Sequence, residues 1–214
     1  MKIELRNICF SYNKKTPLID SFDYVFKGGK CYLLRGKNGS GKTTLSKLIL
    51  GLLTPKSGDI VINNEITRKK SVAEISKDIG YLFQNAELQL FAPTVWEELS
   101  FPYELNNALD EKAKEKIDKT LEQFGLSHLK TAFPLLLSGG EKQRLALATI
   151  FIRDIKFLIL DEPSSSIDKE GKLFLAELIR HFIQQGGGVL VISHDEEVSA
   201  MLPDAEIILL GEAP

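Results

Sequence analysis

Residues 36 to 43 read Gly36-Lys37-Asn38-Gly39-Ser40-Gly41-Lys42-Thr43: a glycine, four residues, then Gly-Lys-Thr. That spacing builds a phosphate cradle, the P-loop. Its glycines let successive backbone N–H groups turn inward as an anion nest, and a helix beginning at Lys42 adds the positive end of its dipole. Lys42 brings a point charge to the β- and γ-phosphates of a nucleotide, and the Thr43 hydroxyl is placed to ligate Mg²⁺. Gly36, Asn38, Gly39, Ser40, Gly41 and Thr44 complete the expected nucleotide-binding set. A chance match arises in roughly one chain in 100 of this length, and a strand before with a helix after makes coincidence a poorer explanation still.

Phosphoryl transfer also needs carboxylates. Phe157-Leu158-Ile159-Leu160-Asp161-Glu162 supplies them, on a strand expected to neighbour that of the cradle. Four apolar residues bury the strand, and the acids emerge at its C-terminal end, where α/β sheets place ligands. Asp161 is predicted to hold Mg²⁺, directly or through water. Glu162, one step on, is the candidate to orient or deprotonate an attacking water.

These groups need a scaffold. The chain has 214 residues, 43% hydrophobic and 26% charged, ordinary for a globular protein. With 27 basic against 29 acidic residues it lacks the basic footprint of a nucleic-acid-binding protein, and no nucleic-acid partner is expected. Cys9 and Cys31 lack metal-ligand spacing and read as reduced core thiols. Met1–Phe10 lacks the layout of a signal peptide. No apolar run approaches the ~20 residues that span a bilayer, so a membrane role would come through a partner.

Strands are predicted over Lys2–Phe10, Leu18–Phe26, Lys30–Arg35, Asp59–Asn63, Ile79–Phe83, Phe157–Leu160, Val189–Ser193 and Glu206–Leu210, with a turn over Ser11–Pro17. Helices are predicted over Lys42–Leu53, from Thr94 to about Gly125, and over Glu141–Arg153 and Lys169–Gln185. Alternation of strand and helix at both ends argues an α/β sheet. The expected architecture is one domain, a P-loop NTPase core (residues 1–86 and 151–214) with an N-terminal antiparallel β-subdomain and an inserted all-helical subdomain over about 87–150.

P-loops occur in many protein classes. Leu137-Ser138-Gly139-Gly140-Glu141, followed by Lys142-Gln143-Arg144, narrows the choice. Ser138 and the amides of Gly139 and Gly140 stand at a helix start and can present donors to a second anion. This stretch, some two dozen residues ahead of Asp161, resembles the signature sequence of ATP-binding-cassette (ABC) ATPases, and the resemblance extends over essentially the whole chain. It implies that Tyr12 stacks on adenine and that Gln84 is the Q-loop glutamine, which reaches the metal and senses a transmembrane partner. It also implies that His194 contacts the γ-phosphate and that Asp168 ends the D-loop, here the serine-rich Ser165-Ser166-Ile167-Asp168 where the family usually ends Leu-Asp. Glu162, His194, Gln84 and Lys42 would then form the catalytic set; Thr43, Gln84 and Asp161 would serve the metal. His128 and His181 receive no role.

In that family the signature of one subunit faces the γ-phosphate on the other's P-loop. One P-loop and one signature per chain therefore imply a head-to-tail pair, homo- or heterodimeric, around two ATP molecules. The stretch Gln84–Val95, with Glu87, Gln89, Leu90 and Phe91, is similar to the Q-loop region of energy-coupling-factor importer ATPases, with Ala86 in place of a common proline. That family takes up vitamins and transition-metal ions. The resemblance implies an ATPase on the cytoplasmic face of the membrane, bound to an integral-membrane subunit and not touching the solute. Leu88, Leu90, Phe91, Val95 and Trp96 are the expected lining of a groove for the partner's helix. The chain stops soon after Leu210, without the C-terminal extension many such members carry, so regulation through a tail is not expected. The rival from another class is a soluble ABC ATPase in cofactor assembly or in DNA or RNA processing. Fewer than a hundred positions separate Thr43 from Leu137, and no coiled coil of the DNA-repair type fills them.

Overall fold

A computed structural model describes residues 1–13, 16–165 and 167–211. Positions 14 and 15 of the expected N-terminal turn, Ser166 ahead of Asp168, and residues 212–214 lie outside the described residues. Strand β1 (Lys2–Phe10) pairs antiparallel with β2 (Ile19–Lys27), and its register shifts between Leu5 and Ile8 and again before Phe10. Next come β3 (Cys31–Arg35) and helix α1 (Lys42–Ile49). α1 stops four residues short of the predicted Leu53, because the chain turns at Gly51, in the left-handed region at φ 72°. β4 (Ser57–Ile62) pairs with the other edge of β1, and the short β5 (Glu65–Ile66) follows. The short α2 (Val72–Ser76), which periodicity did not announce, leads into β6 (Ile79–Leu82).

The stretch predicted as helical from Thr94 is two helices, α3 (Val95–Leu105) and α4 (Glu111–Gln123), broken where Asn107 adopts φ 51°. Thr94 and Asp110 cap them by accepting the N–H groups of Glu97 and Ala113. α5 (Gly139–Phe151), β7 (Phe157–Asp161), α6 (Lys169–Gln184), β8 (Gly188–Ile192), α7 (Glu196–Met201) and β9 (Glu206–Leu209) complete the chain.

A five-stranded parallel sheet, ordered β6-β7-β8-β3-β9, forms the central layer, and a four-stranded antiparallel sheet, β2-β1-β4-β5, forms another. Side chains alternate across the parallel sheet as pleating requires. Tyr32, Leu34, Phe157, Ile159, Leu190 and Ile192 pack toward the antiparallel sheet and α1. Leu33, Leu158, Leu160, Val189 and Val191 pack toward the helices on the other face. There α6 buries Leu175, Leu178, Ile179 and Phe182, the i, i+3, i+4, i+7 stripe of an amphipathic helix. Of the two cysteines, Cys31 lies in the core, where burial pushes its thiol up to about 12, whereas Cys9 is only half buried.

The strand order corrects one expectation. The acidic strand β7 does not neighbour β3; β8 lies between them. Two interstrand steps put the Asp161 end about 10 Å from the mouth of the cradle. The strand in between is the one that runs into His194.

The junction ahead of α3 hangs on a buried acid. Glu98 accepts the backbone N–H groups of Phe91 at 2.5 Å and Ala92 at 2.7 Å, and burial raises its pKa. Glu98→Ala strands both donors and should lower stability to urea by about 2–4 kcal/mol. Glu98→Gln keeps the acceptor and should stay within about 1 kcal/mol of wild type. An alanine variant with an unchanged urea midpoint would show that the junction does not depend on this side chain.

Candidate active site

The phosphate loop leaves β3 and closes on the N-terminus of α1. Gly36 is obligatory: a Cβ there would lie 2.3 Å from the Leu210 carbonyl oxygen, and its φ of 153° strains any other residue. The Lys42 side chain is buried and threads the loop, its ammonium donating to the carbonyls of Gly36 at 2.8 Å and Lys37 at 3.1 Å. The buried Ser40 hydroxyl has no hydrogen-bond partner among the described residues. A cation held only by neutral loop carbonyls and an orphaned hydroxyl in a glycine-rich loop fit a phosphate group. Thr44 is engaged differently: its hydroxyl lies 3.1 Å from that of Tyr12. The Tyr12 ring, set edge-on to Phe10, is 66% exposed, so its face is free for a planar base.

Thr43, Tyr81, Gln84 and Asp161 line one open cleft of about 550 Å³. The structure thus brings together the three residues predicted for the metal. Asp161 is buried at the end of β7, and one of its oxygens accepts the Tyr81 hydroxyl at 3.0 Å. Burial pushes the Tyr81 hydroxyl above its ordinary range, so it stays a protonated donor that fixes the carboxylate. A carboxylate, a hydroxyl and an amide oxygen suit Mg²⁺, which keeps several waters and takes further ligands from phosphate. Among the described residues no three His, Cys, Asp or Glu converge on a point.

Beyond Asp161 the backbone turns sharply. Glu162 adopts φ 48°, rare for a residue with a side chain and costing roughly 1 kcal/mol or more. Its N–H continues the ladder to the Ile192 carbonyl at 2.8 Å. Its carboxylate meets the segment after β8, with Oε2 accepting the His194 N–H at 3.4 Å and Oε1 lying 3.7 Å from the imidazole Nε2. A carboxylate held beside an imidazole can orient and deprotonate a water between them.

The signature stretch opens α5. Ser138 accepts the N–H of Glu141, while the Glu141 carboxylate takes the Ser138 N–H at 2.8 Å and its hydroxyl at 2.6 Å. These bonds, the hydroxyl's first, hold the Glu141 carboxyl below the usual range. Gly139 borders the cleft with Thr43, but Ser138 and Gly140 line a separate depression of about 280 Å³ shared with Asp168. Within one chain the signature serine therefore does not share the cleft of the P-loop. Asp168 caps α6 by accepting the Gly171 N–H at 2.8 Å, a local duty that the resemblance did not imply.

The predicted partner groove needs correction. Leu90 and Val95 are buried in the core and Trp96 is partly covered. Leu88 and Phe91 are 74% and 65% exposed, Phe101 and Leu105 of α3 are exposed as well, and the Phe91 and Phe101 rings lie 4.8 Å apart. Sequence reasoning also missed the polar ties around the cleft. Besides Tyr81, Glu87 pairs with Lys142 of α5, and buried Gln143 donates to the Pro163 carbonyl just past Glu162. Residues so far apart in the chain leave no local signal for such contacts.

The ABC transporter family profile matches residues 19–165. A putative ABC transporter ATP-binding protein of Pyrococcus abyssi is 38% identical over 210 residues, 98% of this chain and 80% of its own length. The energy-coupling factor transporter ATP-binding protein EcfA1 of Thermotoga maritima is 38% identical over 212 residues, 98% of this chain and 78% of its own. Among solved structures, CbiO1 of Clostridium perfringens, part of the ABC transporter complex CbiONQ, superimposes with a TM-score of 0.84 at 27% identity. That alignment covers 97% of this chain and 84% of CbiO1.

Proposed function

This chain belongs to the ABC transporter family as one of its ATP-hydrolysing subunits, and we propose that two copies, or one copy and a related subunit, close head-to-tail on ATP to drive solute uptake through an integral-membrane partner. What carries the reading is the split site: Thr43, Gln84 and Asp161 share one cleft, with Glu162 and His194 at the adjoining strand ends, while Ser138 lines another depression. A second chain supplies Ser138 and the Gly139 and Gly140 amides to the γ-phosphate, and Asp168 stands at the seam between the copies.

On binding, Lys42 exchanges its two loop carbonyls for phosphate oxygens, and Asn38, Gly39, Ser40, Gly41 and Thr44 wrap the phosphates. Tyr12 stacks on adenine. Thr43, Asp161 and Gln84 would hold Mg²⁺, which would neutralise charge on the phosphates. Glu162 takes a proton from the attacking water, and His194 steadies the γ-phosphate. ATP favours the closed pair over the open one, so hydrolysis becomes a change of shape. Residues 87–150 act as a helical subdomain that moves against the core of 1–86 and 151–214. The exposed rim of Leu88, Phe91, Phe101 and Leu105 is the seat for the membrane partner. The relatives named for an energy-coupling factor transporter and for the CbiONQ transporter complex support a transport role; uptake of a vitamin or metal ion is proposed on the Q-loop resemblance of Gln84–Val95.

No helix among the described residues is long and apolar enough to cross a membrane. Expressed in its host, the chain should sediment with membranes and co-purify with an integral-membrane protein, and Phe91→Glu should release it while leaving nucleotide binding intact. A chain found away from membranes with no such companion would overturn the transport reading in favour of a soluble assembly ATPase.

A further inference from the structure

His194 is half exposed, and its ring meets Glu162 only at 3.7 Å. Burial therefore does not hold it. What surrounds it does. Ser193, ahead of it, is fully buried and its hydroxyl accepts the Asp195 N–H at 3.0 Å. Asp195, after it, caps α7 through Oδ1, which accepts the N–H groups of Glu197 at 2.9 Å and Val198 at 3.4 Å. The other oxygen, Oδ2, takes the ammonium of Lys172 at 2.7 Å. The same ammonium reaches Glu197 at 2.8 Å, and the Lys172 side chain is only 17% exposed. The Ser164 hydroxyl, two residues past Glu162, also bonds the Asp195 carboxylate, which Lys172 above all holds below the usual range. Asp195 is thus anionic at neutral pH, and three segments converge on it: the stretch after β7, helix α6, and the stretch after β8.

Lys172 sits one turn beyond Asp168 on α6. A displacement of that helix start reaches the residue next to His194 through a single ion pair. We propose that Lys172 is a positioning residue for hydrolysis: through Asp195 it sets where His194 stands relative to Glu162, and it ties that placement to the start of α6. This rests on the roles proposed above for Glu162 and His194.

The test uses the full chain. Lys172→Met keeps the apolar stem and removes the charge. It should lower kcat by about tenfold to a hundredfold, since an ångström of misplacement at a reacting group can cost about a hundredfold, while KM and the affinity for a fluorescent ATP analogue stay within about twofold. Lys172→Arg should restore most of the loss. Asp195→Asn keeps the helix cap and should reproduce it; if Lys172→Met fails to fold, this variant carries the expectation alone. In a His194→Ala background, Lys172→Met should lower kcat no further. An unchanged kcat in Lys172→Met or Asp195→Asn, or an undiminished further loss without His194, would overturn the proposal. Full turnover in His194→Ala itself would instead overturn the underlying assignment of the histidine.

Discussion

Glu162→Gln should cut ATP turnover by about three orders of magnitude and leave nucleotide binding intact, the size of effect general-base removal produces. The substitution is nearly isosteric. Glutamine can still accept the His194 N–H, now taken at 3.4 Å, and the left-handed turn at Glu162 is set by the backbone it shares with β8. What disappears is the proton acceptor. The cradle, Thr43 and Asp161 lie outside the change, so ATP should still bind and still close the pair, but the closed state should persist. Size-exclusion chromatography with ATP should therefore show a dimer that wild type does not accumulate. Unimpaired turnover in this variant would remove Glu162 from its role.

Ser138→Arg should abolish steady-state turnover, about a thousandfold, while its own P-loop continues to bind ATP. The serine caps α5 from an exposed position, so a long cation there meets no core, but it blocks the donors at the helix start. The sharper result comes from mixing. Lys42→Ala loses the cradle's cation and should be inactive alone. A heterodimer of the two variants contains one intact composite site, made from the P-loop of the Ser138→Arg chain and the signature of the Lys42→Ala chain. Mixing the two inactive proteins should restore activity. If each chain used its own signature, the mixture would stay dead, and the two-chain site would be wrong.

Some of this was readable from short windows. The glycine spacing of 36–41, the helix start at Ser138, and the apolar run 157–160 act within a turn or a strand, where backbone torsions and periodicity decide the outcome. β7 was predicted to within one residue for this reason. The partner rim was misjudged because apolar residues in a non-periodic stretch carry no sign of which way they point. Leu90 and Val95 turned inward while Leu88 and Phe91 turned out. The Glu98 carboxylate on two backbone donors helps set that division.

The sequence by itself determined which chemical groups are present: a glycine-rich loop with its lysine, two successive acids, a histidine and a second serine-capped helix start. Each is a local device. Only the tertiary structure decided which of them meet. It put β8 between β3 and β7, and so His194 against Glu162; it joined Tyr81 to Asp161 across 80 residues and Lys172 to Asp195; and it turned Ser138 away from its own chain's cleft. Strand order and side-chain pairing at such separations follow from packing two faces of one sheet at once, and no window of sequence contains that constraint.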